Sequence, residues 1–413
     1  MTVFPYNALI LLTLLFAAYL LSEIKKGETL RHFLFLSKTQ WFCWLAVCFF
    51  VVYETLAVSS SLPCLPRTFR FIIGNAVLFL LSFSILQKIK RKEKDILILA
   101  GLWLVIAGQI VAADDTQRYR MLVVREANDI GLDEKKEIVR MPFQIRILTV
   151  EQEFYPSGKP KLIKAELLLQ QNGIADTISI SPNHPAGYHG YDLYLQKTNP
   201  DASMILLVRQ PWKYILYVGF TLLLIGCFIQ IILDYRKTYK SIPLWKSWQF
   251  PIFLFFAVIF CLVNLIFPKL FPWELPPTLQ SEWFIPHVVA YLFAYALLLL
   301  GGVEAFAFCF KHKEKHLPQN ESLIRMGNSF FAIGLIFGAL WAKVAWGDFW
   351  NWDAKEMWAL TTLVLCEGYL MSYKINPKKK VALWLLLFAI LALQMCWYGV
   401  NFLPDALNLH KYS

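Results

Sequence analysis

Apolar runs of helical length dominate the chain. Crossing a ~30 Å hydrocarbon core takes about 20 apolar residues as a helix. Ten stretches approach this length, roughly 4–22, 41–59, 69–87, 95–113, 212–234, 249–268, 287–310, 329–345, 358–373 and 381–403. The ninth is short and carries Glu367. The first has no basic residue before it and Lys25 and Lys26 after it. That is the reverse of the order in a cleavable signal peptide, so a retained span is expected.

Between the fourth and fifth stretches the pattern changes. Residues 114–211 alternate apolar and polar positions at the period of a half-buried strand, over 143–150, 162–169, 177–181, 191–195 and 204–208. Turn signals separate these runs: Pro156-Ser-Gly158, Asn172-Gly173, Asn183 to Pro185 and Asn199-Pro200. The expectation is a polytopic α-helical membrane protein of about ten transmembrane helices with one extracytoplasmic antiparallel β domain. It divides into a four-span region 1–113, the β domain 114–211 and a six-span region 212–413.

Composition agrees. Apolar residues are 57% of the chain and charged residues 17%, against ~45–50% and ~25% in soluble domains. Disorder is excluded, and one soluble domain is disfavoured. The formal charge of +11 is explained by its distribution. Basic sets at 25–38, 88–94, 236–246, 311–325 and 374–380 alternate with loops nearly free of Lys and Arg. The positive-inside rule puts the basic sets in the cytoplasm. Both termini and residues 114–211 then face outward, and no nucleic-acid partner is expected. The eight cysteines form no C-x-x-C pair, zinc signature or disulfide framework. Seven lie in apolar runs, and Cys64 sits in a short loop.

The densest chemical feature is the segment Trp346 to Trp358, which joins spans eight and nine on the outer side. Trp346, Phe349, Trp350 and Trp352 fall within seven residues. They suit either an interfacial aromatic belt or an aromatic platform that holds a large planar ligand. Asp353-Ala-Lys-Glu356 has the D-x-x-E spacing of a capping box. Lys355 is the loop's cation and could pair with an acidic group of a ligand. His287 begins span seven and His410 follows span ten, both at the outer face in this topology. Each is either ordinary polar interface or one of two axial ligands to haem iron.

Trp346-Gly-x-x-Trp-x-Trp-Asp-x-Lys-Glu356, with His287 before it and Gly399-Val-Asn401 and Leu409-His-x-Tyr412 after it, resembles the tryptophan-rich (WWD) motif of the CcsA family. These are haem-handling membrane proteins of c-type cytochrome maturation. The resemblance covers about 212–413. Asn183-His-Pro185, Tyr188 and Gly190 to Tyr194 resemble the end of the outer domain of ResB/CcsB proteins. Ala113 to Met121 fits the exit of the preceding span. The whole therefore looks like a fused CcsB–CcsA protein of system II cytochrome c biogenesis in a bacterial inner membrane.

The resemblance implies haem b as bound substrate. His287 and His410 would ligate iron, and Trp346, Phe349, Trp350, Trp352, Asp353 and Lys355 would form the haem surface. Apocytochrome c would be a partner, as would a thiol-reducing protein. The implied activity is presentation of haem to C-x-x-C-H motifs, with haem lyase activity and haem export as extensions. The alternative is a haem-binding chaperone or sensor that attaches nothing. Two departures bear on this choice. The fused family carries two further histidines inside the membrane, and the best matches here are Leu99 and Met371. Ala354 also stands where the family usually has Pro.

Other candidates have plainer readings. His184 lies in a turn, and His32, His312 and His316 lie in basic loops. Glu54, Glu304 and Glu367, in or near spans, are functional candidates by the cost of burying charge in a membrane.

Overall fold

A computed structural model describes residues 4–23, 37–60, 62–91, 95–111, 113–199, 201–239, 274–311, 317–375 and 380–403. Helix falls on nine of the ten apolar stretches, and the sixth, 249–268, lies outside the described residues. The helices are α1 (Phe4–Glu23), α2 (Ser37–Ser59), α3 (Arg67–Arg91), α4 (Ile96–Ile106, continued by a π turn Ala107–Val111), α5 (Lys213–Tyr239), α6 (Phe284–Lys311), α7 (Leu317–Trp346), α8 (Ala354–Ile375) and α9 (Lys380–Trp397). Among the described residues four are long and apolar enough to cross a membrane: Arg67–Leu86, Lys213–Lys237, Phe284–Val303 and Glu321–Trp346.

Residues 117–209 form one eight-stranded antiparallel sheet. Its strands are β1 (Gln117–Val124), β2 (Asn128–Leu132), β3 (Ile138–Phe154), β4 (Pro160–Gln171), β5 (Ile174–Ile180), β6 (Ala186–Tyr188), β7 (Tyr191–Thr198) and β8 (Ala202–Arg209), in the order β5-β4-β3-β2-β1-β8-β7-β6. The alternation works as expected on β3, where Met141, Phe143, Ile145 and Ile147 point into the core and their neighbours outward. They meet Leu167, Leu169, Leu193, Ile205 and Leu207 in a single apolar cluster. The Asn172-Gly173 turn joins β4 and β5 with both residues at positive φ, 51° and 82°, which is the type I′ geometry that matches strand twist.

The pattern predicts five strands and the sheet has eight. β1 starts two residues after a 3-10 turn (Ala113–Asp115) that closes the fourth apolar stretch, in the segment expected to be only the exit of a span. Yet β1 sits near the middle of the sheet. It pairs with β8 along its whole length, from Gln117 opposite Arg209 to Val124 opposite Ala202. The sheet is thus attached through adjacent central strands to α4 and α5, which pack against each other. At that junction the Trp212 indole N–H donates to Asp115 Oδ2 at 2.8 Å.

The helices pair α6 with α7, α8 with α9, and α5 with α7. The N-terminal helices join this set rather than standing apart. α2 lies along α8, where the Thr55 hydroxyl meets that of Thr361 at 2.7 Å and donates to the Met357 carbonyl at 3.2 Å. The Trp44 indole donates to the Val364 carbonyl and that of Trp358 to Ser59 Oγ, each at 2.9 Å. Such cross-helix hydrogen bonds fix rotation and register where apolar packing alone discriminates poorly.

Candidate ligand site at the tryptophan loop

The loop between α7 and α8 is built from two unusual backbone positions. Gly347 ends α7 at φ 93°, and Trp352 holds φ 58°. Glycine adopts such angles without penalty, but a tryptophan does not. A non-glycine residue in this region costs about 1–3 kcal/mol and persists only where its surroundings over-determine it. Here the surroundings do so. Asp353 is 1% exposed. Its Oδ1 accepts from the Glu356 N–H at 2.9 Å, while Glu356 Oε2 accepts from the N–H groups of Asn351 and Asp353 at 2.7 and 3.3 Å. This reciprocal arrangement is a capping box, and it starts α8.

The aromatic residues of the loop divide into three surroundings. Trp346 stacks obliquely against Trp341, with ring centroids 5.3 Å apart. Trp341 in turn lies 5.9 Å from the His287 ring, and its indole donates to the Thr278 carbonyl. Phe349 is 1% exposed and packs with Leu216, Phe220 and Leu340. Trp350 and Trp352 meet edge to face at 6.4 Å and 87°, beside Phe50, Val58, Met357 and Val400. The rings therefore do not lie in one flat plane: Trp346 and the Trp350–Trp352 pair pack in separate surroundings, and Phe349 is buried in the core. Lys355 is half-buried on the first turn of α8, and its carbonyl accepts a weak bond from the Cys396 thiol at 3.5 Å.

His287 has a defined orientation. Its Nδ1 lies 2.8 Å from the Gly334 carbonyl. A carbonyl only accepts, so Nδ1 carries the proton and, in the neutral ring, Nε2 carries the lone pair. Histidines that ligate metals are commonly oriented this way, by donation from the other ring nitrogen to a backbone carbonyl. The ring lies against Gly338, where a Cβ would stand 2.8 Å from Nδ1 and Cε1, and beside Tyr291 at 4.5 Å. The donor set and its orientation fit a haem ligand. His410 lies outside the described residues, as do His32, His312 and His316. Leu99 on α4 and Met371 on α8 are both half-buried.

Three contributors carry no sequence signal of their own. Trp341 bridges Trp346 to His287, but a tryptophan inside an apolar run looks like lipid-facing bulk. Arg118 on β1 grips Asp348 through two bonds, Nε to Oδ2 at 3.0 Å and Nη2 to Oδ1 at 2.5 Å. Burial opposes the Arg118 charge, but hydrogen bonds and charge from Asp348 and Glu134 outweigh it and raise the guanidinium above its ordinary range. Arg70 on α3 places its guanidinium 4.6 Å from the Trp352 ring centroid. Glu54, fully buried, holds Arg70 by Oε2 to Nη2 at 2.7 Å and Oε1 to Nε at 3.3 Å. Glu54 was a candidate on grounds of burial cost, and the partner that offsets this cost is Arg70.

Comparison with known proteins bears on the same region. Residues 212–408 match the family model for cytochrome c assembly proteins. The chain is 33% identical over 154 residues to a cytochrome c biogenesis protein CcsA of Chlamydomonas reinhardtii, covering 34% of this chain and 43% of that protein. It is 30% identical over 190 residues to the CcsA of Coffea arabica, covering 34% of this chain and 58% of that protein. The chain spans about half the length of the curated relatives it matches. The C-terminal half is thus similar to CcsA proteins, and His287 and the tryptophan loop fall within the matched residues.

Proposed function

We propose that this chain acts in cytochrome c biogenesis, binding haem at the outer membrane face and presenting it to apocytochrome c. The observation that carries this reading is the loop Trp346 to Trp358, inside the cytochrome c assembly match, with an oriented histidine beside it through Trp341. Trp346, Trp350 and Trp352 would cover the porphyrin, and Phe349 would fix the loop. Asp353 would set the start of α8, and Lys355 would meet a propionate. His287 Nε2 and His410 would ligate iron. The bound substrate is haem b.

Attachment needs little from this chain beyond placement. Each thioether forms when a substrate Cys S–H adds across a haem vinyl C=C, the sulfur to one carbon and the proton to the other, with no redox change. Both nucleophiles belong to the C-x-x-C-H motif of the apocytochrome. The chain supplies register and exclusion of competing geometries, which can lower such a barrier by up to ~7–11 kcal/mol. A thiol-reducing protein would keep those cysteines reduced. In this reading the chain is a multi-pass protein of about ten spans in a bacterial inner membrane, with both termini and the 114–211 domain on the periplasmic side. Its first half is ResB-like.

Purified protein should show a Soret band that is lost in the His287→Ala, His410→Ala double variant. A wild type purified without haem under reducing conditions, or a band indifferent to both changes, overturns the ligand assignment. A second reading is favoured by Leu99 and Met371, which offer no nitrogen at the positions matched to the family's inner histidines. In that reading the chain is a haem chaperone or sensor without lyase activity or haem export. Co-expression with an apocytochrome in a strain lacking its own maturation system separates the two. Covalent haem after denaturing electrophoresis supports attachment, and haem that is bound but never attached supports the chaperone.

A further inference from the structure

The tryptophan loop is held at each end by an arginine from outside the region that matches the assembly family. At its start, Asp348 takes two hydrogen bonds from Arg118 of the β domain, and Arg118 is itself oriented by Glu134 at 2.7 Å. A second contact reinforces this end. Lys343, 3% exposed on the last turn of α7, donates to the Gly347 carbonyl at 3.0 Å and to Gln210 Oε1 at 3.1 Å, and its Nζ lies 3.4 Å from Asp192 Oδ2. Gly347 also sits against Tyr194 and Val208, where a Cβ would come within 3.3 and 3.1 Å of their side chains. At the loop's other end, Arg70 lies over the Trp352 ring and is fixed by Glu54. Trp352 is the residue with the costly backbone angle.

These contacts share a direction. The β domain and α3 each bring a cation to the loop, and each cation is already locked by its own acidic partner, Glu134 or Glu54. An arginine held by a carboxylate loses little further freedom when it contacts the loop, and its planar fork fixes orientation as well as distance. The loop between 347 and 352 has no regular secondary structure, so apart from the Glu356 bonds at its end its shape depends on contacts from outside.

We propose that Arg118 and Arg70 are positioning residues for the tryptophan loop, so that the first half of the chain shapes the ligand surface carried by the second. The loop's shape requires both clamps. The functional consequence rests on the haem reading, but the positioning itself does not.

The test uses the full chain in detergent. Arg118→Ala opens one clamp. Glu54→Gln with Arg70→Met opens the other without leaving a buried carboxylate unpaired. The pair Arg118→Asp, Asp348→Arg restores the first clamp with reversed polarity, and Arg118→Asp alone does not. Amide hydrogen exchange is followed in 347–353, with 193–195 and 205–208 as a control for the fold. Exchange in the loop should rise about tenfold or more in each opened variant, stay at wild-type rates in the β-sheet control, and fall back in the reversed pair. The Soret band, per mole of protein, should weaken or shift in the same variants and recover in the reversed pair. Loop exchange at wild-type rates in both opened variants overturns the proposal. A rise in loop exchange in a protein that never carries haem supports positioning and rejects the haem reading alone.

Discussion

At position 338 an added methyl carbon would lie 2.8 Å from two atoms of the His287 ring, closer than such contacts tolerate. Gly338→Ala should therefore push the imidazole off its bond to the Gly334 carbonyl while leaving α6 and α7 paired. The expected cost is about 1–3 kcal/mol, read as a modest loss in thermal stability, with a Soret band displaced or weakened toward that of His287→Ala. A normal band in a normally stable protein would remove the oriented tautomer from the account. Legibility at this scale was uneven. His287 alone reads as ordinary polar interface at a helix end, and it is a candidate only in company with His410 and the tryptophan loop. Phe349 and Trp350 look alike in the sequence, yet one is core and the other lines the loop's outer cluster, because only tertiary packing decides which way adjacent rings face. The Asp353–Glu356 capping box was readable because its partners lie three residues apart. Arg118–Asp348 was not, since its partners are 230 positions apart.

Among the elements, β7 packs against α7, and its Tyr194 lies beside Gly347 at the start of the loop. Tyr194 on this strand is buried, and burial, followed by the nearby Asp192 charge, raises its phenol well above the ordinary range. The folded protein then keeps this proton at pH values where the unfolded chain has released it. The associated stability is complete below the unfolded pKa of ~10 and declines as pH rises above it, by about 1.4 kcal/mol per unit for one group. Tyr194→Phe should flatten this alkaline decline, measured as midpoint temperature from pH 9 to 11. An unchanged slope would mean that Tyr194 does not titrate differently in the two states. Element boundaries were legible where period and turn chemistry agreed, as at Asn172-Gly173. β1 was missed because its alternation of Tyr119, Met121 and Val123 begins almost without a break after an apolar helix. β6 has three residues, too few for a period to register, and on β2 the buried position is Gly131 while Ile130 and Leu132 are exposed, so no apolar face marks it.

For the molecule as a whole, the proposed orientation places the loop after α2 on the outer side, and that loop carries the exposed Cys64. A membrane-impermeant maleimide should label Cys64 in intact spheroplasts, and Cys64→Ser should abolish the labelling. Labelling only after permeabilisation would invert the topology. Hydropathy and charge alternation, which act through solvent and need no tertiary information, give the expectation of about ten spans; among the described residues four helices are long and apolar enough to cross a membrane. How the helices group did not follow from those signals. Two of the N-terminal helices lie on later ones, α2 on α8 and α4 on α5, while α1 packs on α3. The Thr55–Thr361, Trp358–Ser59 and Trp212–Asp115 bonds all cross the boundary at 211/212. Such a seam joins the two halves through contacts that do not depend on the peptide bond between them. Cutting that bond should matter little: two polypeptides, 1–211 and 212–413, made in the same cell should find each other and co-purify on a tag carried by either one.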